Sequence, residues 1–468
     1  MSIDRKWLES AASIVGAGAV LTAEGDVEAY SHDESASGAL AHIPAAVIKP
    51  GTEEEVAEIV KLCFETGVSV TTRGGGTGLS GGCVAAEGGV VLSTDRLDAV
   101  IESSALDHTI TVQAGVSLHS LYREVEKLGL FFPPHPGDES AMIGGVVATN
   151  AGGARAVKYG TVRRFVLGLQ VVLADGRIVE LGGRYLKSST GYNLLGLMIG
   201  SEGTLGIITR VTLNLLPLPG SIQTMVVPFE SVSDAIRTVP SISTLGITPF
   251  AVEFLEHSTI ACSEKLLDKR WPTHDGTASL MIVLDGMNPD AVLEEAEELS
   301  EILDEQGALD VLIADQKEKQ ADILEIRSML YEALRPGTAE LLDICVPRSR
   351  IADHVEFVHE TETKYGIPLP TYGHAADGNV HTQMLNRELV DGEFGDEISG
   401  WEQAQEKARN EIYLDAIELG GVISGEHGIG ESKRAYLREN LGQTNIDMMT
   451  AVKNALDPSG ILNPGKVL

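Results

Sequence analysis

The stretch TRGGGTGLSGG, residues 72–82, places six glycines in eleven positions directly behind a β-branched run. Regular helix or strand is disfavoured there, because each ordered glycine gives up more conformational entropy than any other residue. A tight loop suits it instead, with positive φ and several backbone N–H groups close enough to cradle an anion. The loop does not end in Gly-Lys-Ser/Thr, so it is not a Walker loop, and it lacks the Rossmann spacing. HPGDESAMIGGVVATNAGGARAVKYG (135–160) and GSEGTLGIITR (200–210) offer two further close backbone approaches. Three such loops imply a long, phosphate-bearing ligand.

These loops lie in a region, from about residue 45 to 220, where short β-branched runs such as AAVIKPGT, GVVLSTDRL and TITVQAGV alternate with turns. EEEVAEIVKLCFETG and SLHSLYREVEKLGL have helical periodicity, and LADGRIVEL is a hairpin turning at Asp175-Gly176. Near Pro217 to Gly220 the texture changes. Longer helical stretches, PDAVLEEAEELSEILDEQG and KQADILEIRSMLYEALR, then alternate with the strand patterns TMVVPFE, FAVEFLE and ASLMIVLDG. The pattern predicts an α+β chain with a separate sheet-and-helix domain in its second half.

The 468 residues carry 35 Lys plus Arg against 68 Asp plus Glu, a net charge of -33. Nucleic acid and anionic membranes are repelled by such a surface, and a salt-rich habitat would give the same imbalance. The opening residues lack a basic segment leading into a clean apolar run, so they read as a helix and not as a secretory signal. No stretch approaches the roughly 18 apolar residues of a membrane span, and a cytoplasmic protein is expected. Cys63, Cys83, Cys262 and Cys345 are scattered singly, which suits neither a disulfide framework nor an iron–sulfur cluster. A redox function therefore needs another cofactor.

YGHAADGNVHTQM, residues 372–384, sets His374 and His381 on either side of Asp377-Gly378. A two-residue loop at that pair predicts that His374 faces His381, with Cβ atoms roughly 4.5 to 5.5 Å apart, so that both rings converge on one ion. A loop carrying two surface histidines is the alternative.

Together RGGGTGLSGG, IGGVVATNAGG, KYGTVRRFV, GSEGTLGIIT, GHAADGNVH, GEHGIG and LNPGK resemble the flavin-dependent oxidoreductases of the vanillyl-alcohol oxidase superfamily. The likeness is to its branch of D-lactate dehydrogenases, glycolate oxidase catalytic subunits and D-2-hydroxyglutarate dehydrogenases, and runs from about residue 40 onward. It implies an FAD-binding domain of two subdomains over 1–220, a substrate (cap) domain over 221–420, and a segment over 421–468 that returns to the flavin. It implies noncovalent FAD held by Arg73, Gly74, Gly75, Gly76, Thr77, Gly78, Leu79 and Ser80, by Pro136, Gly137 and Ser140, by Gly144, Gly145 and Gly153, and by Ile208 and Asn463. No covalent link through Cys83 is expected.

The resemblance also implies a divalent metal on His374, His381 and Glu426, a set that suits zinc best, with iron or manganese as alternatives. A 2-hydroxy acid chelating that metal has a more acidic hydroxyl, and His427 beside Glu426 is expected to take its proton as base; the alternative is a histidine that only orients the ligand. Arg327 is expected to clamp the substrate carboxylate, with Tyr331 one helical turn later. Leu341 stands where 2-hydroxyglutarate dehydrogenases carry a lysine, which favours D-lactate or glycolate, although Arg348 or Arg350 could substitute. The expected electron acceptor is a partner flavoprotein, an iron–sulfur subunit or a quinone, and a homodimer is allowed. Two rivals remain: a metal-dependent hydrolase with a phosphate-binding loop, and a flavoprotein subunit without catalysis of its own.

Overall fold

The computed structural model describes residues 3–35, 40–314 and 316–468. The chain divides into two compact units, one of Met1–Gly152, Thr161–Leu218 and Glu426–Leu468, the other of Gly153–Gly160 and Pro219–Gly425.

In the first unit, strands Val20–Leu21, Ala46–Ile48, Val90–Ser93 and Val70–Arg73 form a sheet in that order. The last three run parallel. Parallel strands are covered on both faces, hence their unbroken apolar character: Ala46, Val47, Ile48, Val90, Val91 and Leu92 are all fully buried. The crossover between two of them is the helix Glu53–Thr66. Thr52 caps it by accepting from the Glu55 N–H, three glutamates occupy its first turn, and Gly67 closes it in the left-handed conformation. A cap of this kind stabilises by about 1 kcal/mol. Val56, Ile59, Val60 and Cys63 form the apolar stripe that buries against the sheet. This packing fixes the C-terminal end of Val70–Arg73, from which the first glycine loop leaves.

A second sheet of the same unit is antiparallel, in the order Val100–Ser104, Thr109–Gln113, Ile207–Asn214, Val166–Val172 and Ile178–Gly182. The hairpin expected at Asp175-Gly176 joins its last two strands, with Gly176 at φ +84°.

The second unit is built on a seven-stranded sheet in the order Leu312–Ile313, Ser221–Phe229, Ala278–Gly286, Ala251–Glu256, Thr371–His374, Asn379–Leu385 and Thr338–Cys345. Every neighbouring pair is antiparallel. Helices Val232–Ile242 and Pro289–Glu305 pack against it. The short excursion Gly153–Gly160 is fastened to this unit by side chains. Lys158 Nζ lies 2.5 Å from Asp285 Oδ1, and the Tyr159 hydroxyl donates to Oδ2 at 2.7 Å. The KYGTVRRFV motif thus begins in one unit and continues in the other. Among the described residues no helix is long and apolar enough to cross a membrane.

Candidate active site

The glycine loops of the first unit surround a cleft enclosing about 1280 Å³, its open mouth included. Gly74, Gly75, Gly76, Thr77, Gly78, Leu79, Ser80, Pro136, Gly144, Gly145 and Ile208 line it, as do Glu426 and His427. Two of these glycines show what the cleft is for. Gly76 sits at φ +79°, and a Cβ there would collide with the Arg73 guanidinium. At Gly145 a Cβ would meet nothing within 4 Å, so any side chain would extend into open space on the cleft wall. Backbone exposed without a side chain, on a wall with a polar rim and aliphatic residues such as Val146, Ile207 and Ile208, fits a flat ring system with a phosphate-bearing tail.

Not every expected residue reaches the cleft. Arg73 is buried beneath the loop, where its guanidinium donates to the His32 carbonyl at 2.6 Å and to Cys83 Sγ at 3.3 Å, and lies over the Tyr30 ring. It holds the loop from below. Gly137 and Ser140 are exposed and alternate with the lining residues Pro136, Asp138 and Ala141, and the Ser140 carbonyl lies 2.9 Å from where a Gly75 Cβ would stand. Gly153 belongs to the second unit. Asn463 is buried, and its Nδ2 donates to the carbonyls of Gly82 and Glu202, both at 2.8 Å, which ties two of the glycine stretches together.

Glu202 was not singled out from the sequence, although it lies inside the quoted GSEGTLG. Its carboxylate accepts from the N–H groups of Ile429 and Gly430, both at 2.8 Å, and so shapes the loop that carries Glu426 and His427. Burial pushes the Glu202 carboxyl up from its ordinary range, against the two amides and Lys433, which pull it down. Ser80 Oγ donates to the His427 carbonyl at 3.2 Å, a second tie on that loop. His427 Nε2 stands 4.0 Å from Glu426 Oε1.

In the second unit, His374 and His381 are buried on the sheet and not exposed on a loop. Their register differs from the expectation: His374 pairs with Asn379, and Tyr372 with His381. The turn is wider because the Ala375 N–H donates across the sheet to Val252, while Asp377 and Gly378 both donate back to the His374 carbonyl. The two histidines still share a face, since positions two apart on a strand point the same way. Their ring centroids lie 5.3 Å apart, nearly perpendicular.

Each histidine is directly opposed, on its outer side, by a fully buried carboxylate: His374 by Glu253 and His381 by Asp343. Glu253 Oε1 accepts from His374 Nδ1 at 2.7 Å, and Asp343 Oδ1 stands 3.8 Å from His381 Nδ1. Arg327, expected to clamp a substrate, donates from Nε to Glu253 Oε2 at 2.6 Å and stacks over the Tyr372 ring. Burial alone would raise the Glu253 carboxyl, but Arg327 and His374 hold it down at about 2. Tyr331 is not one turn further along the same helix, because Lys317–Ser328 ends and Leu330–Leu334 begins on either side of Met329.

Comparison with known proteins matches two family models, an FAD binding domain over residues 44–182 and the C-terminal domain of FAD linked oxidases over residues 218–467. The chain is 43% identical to a D-lactate dehydrogenase of Archaeoglobus fulgidus, across 90% of this chain and 91% of that one. It is 39% identical to the glycolate oxidase subunit GlcD of Bacillus subtilis, across 94% and 91%. Among solved structures, p-cresol methylhydroxylase has the same fold, with a TM-score of 0.78 at 19% identity across 99% of this chain and 96% of that one. The chain therefore belongs to the FAD-linked oxidases of the vanillyl-alcohol oxidase superfamily, in the branch of D-lactate dehydrogenases and glycolate oxidase subunits, and is an FAD-linked oxidoreductase.

Proposed function

We propose that this enzyme oxidises a D-2-hydroxy acid, D-lactate or glycolate, to the 2-oxo acid. The observation that carries the proposal is that Glu426 and His427 stand on the wall of the same cleft as the glycine loops. Bound FAD supplies a two-electron acceptor for the hydride leaving the substrate α-carbon. A divalent metal supplies a Lewis acid that makes the substrate hydroxyl more acidic.

His374, His381 and Glu426 are the proposed ligands, a set that suits zinc. Two features support it. The Glu253 carboxylate on Nδ1 of His374 favours the tautomer with the proton on that nitrogen, which in the neutral ring puts the lone pair a metal requires on Nε2. Covalent continuity is the second: Gly425 donates to the Asp343 carbonyl at 3.0 Å and Ser424 Oγ donates to Asp343 Oδ2 at 2.9 Å, and Glu426 is the next residue in the chain. His427 takes the hydroxyl proton, and Arg327 holds the substrate carboxylate. Tyr331 is proposed to border the same substrate.

FAD binds noncovalently in this reading. Burial pushes the Cys83 thiol up to about 11 despite the nearby Arg73, so little thiolate exists to attack a flavin.

An absorbance spectrum tests the substrate. The purified protein is expected to be yellow and to bleach anaerobically with D-lactate or glycolate. Bleaching by D-2-hydroxyglutarate alone would move the assignment to that dicarboxylate, and bleaching by none of the three would remove it. Oxygen is expected to be a poor acceptor, with a dye, a quinone, an iron–sulfur subunit or a partner flavoprotein far faster. Peroxide formation that keeps pace with dye reduction counts against this.

A further inference from the structure

We infer that Glu253 is a positioning residue that holds the metal ligand His374 and the substrate clamp Arg327 with one carboxylate. The inference rests on the roles proposed above for those two side chains. Glu253 lies on strand Ala251–Glu256 and is fully buried. Its oxygens serve different partners: Oε1 accepts from His374 Nδ1 at 2.7 Å, and Oε2 accepts from Arg327 Nε at 2.6 Å, with Nη2 at 2.5 Å.

The chemistry of each contact is specific. An ionised carboxylate only accepts, so a His374 proton sits on Nδ1, and in the neutral ring Nε2 then carries the lone pair a metal requires. The bond also fixes the ring plane and raises the basicity of Nε2. On the other side, two guanidinium nitrogens on one oxygen fix the orientation of Arg327, and the Tyr372 ring, 5.7 Å from Cζ, covers one face of its plane. Fixing that plane reduces the side-chain freedom that binding a second carboxylate must remove. The ladder itself supplies the precision, because Glu253 and His374 are direct cross-strand partners. Asp343, the corresponding carboxylate beside His381, accepts instead from Asn379 and Ser424, at 2.8 and 2.9 Å. Glu253 is the one set between a proposed ligand and a proposed clamp.

The test uses the FAD-loaded protein and zinc alone as probe, with affinity read by competition against a chromophoric chelator, and KM for D-lactate measured separately. Glu253→Gln is expected to weaken zinc by about 10- to 100-fold and to raise KM by roughly tenfold, with FAD content unchanged. Glu253→Asp keeps the charge but is one methylene too short to span both partners, and guards against a glutamine variant that fails to fold. It is expected to move both quantities the same way by less. If either zinc affinity or KM stays at the wild-type value in the variants that fold, the shared brace is overturned. His374→Ala separates the two levels: wild-type zinc affinity in that variant sinks the metal assignment itself, whereas lost affinity there beside unchanged Glu253 variants sinks only the brace.

Discussion

His374→Ala and Glu426→Gln are each expected to lose the metal and nearly all turnover while FAD stays bound. FAD retention is expected because the backbone of the glycine loops forms most of the cleft and the Arg73 and Asn463 ties behind it include neither side chain; Glu426, on the cleft wall, contributes one side chain among many, and Glu426→Gln keeps its size. His427→Asn is expected to behave differently. It should keep both metal and FAD and slow flavin reduction by about 10² to 10⁴, the usual worth of a positioned general base. Metal content and single-turnover bleaching, measured for all three variants, decide the matter. Loss of metal from His427→Asn would make that histidine a ligand, and full activity in the other two would remove the metal from the mechanism.

Gly145→Val is expected to fold normally and to contain no flavin. A Cβ there meets nothing within 4 Å and Gly145 lines the cleft, so the added side chain is expected to displace what occupies the cleft. Gly76→Val is also expected to yield apo-protein, but for a mixed reason: a branched side chain resists φ +79° and presses on the Arg73 guanidinium beneath the loop. Gly145→Val is thus the cleaner probe of the cofactor, and Gly76→Val of the loop. Full flavin occupancy in Gly145→Val, measured by absorbance after gel filtration, would contradict the assignment of the cleft.

Local features were legible in the sequence where a single residue type forces a conformation. The glycine loop, the Asp175-Gly176 hairpin and the helical periodicity of EEEVAEIVKLCFETG read directly, whereas the Thr52 cap and Gly67 stop of that helix emerge only in the structure. The hairpin between His374 and His381 was misread by two positions because the Ala375 amide is claimed by Val252, more than 120 residues away in the chain, and turn chemistry carries no record of that competitor. Glu253 was invisible for a related reason. In FAVEFLE it is one polar residue in an apolar strand, and its partners Arg327 and His374 lie 74 and 121 residues further on. The resemblance assigned Arg73 to the cofactor, but its burial under Gly76 gives it a supporting place beneath the loop. The excursion Gly153–Gly160 could not be seen because its motif runs through it without a break in composition.

The first unit is written in three separated stretches, and the consequence concerns its synthesis. Val70 bridges to Leu462, and Asn463 reaches Gly82 across 381 residues. A ribosome adding about 5 to 20 residues per second delivers the glycine loop tens of seconds before the Leu462–Asn463 segment that completes its surroundings. The second unit, with every one of its residues translated by Gly425, can close first. Only for the last part of that interval, about 4 to 15 seconds at that rate, has the nascent chain all seven strands of its second-unit sheet with Leu462 and Asn463 still to come, so the cofactor cradle is expected to be among the last parts to close.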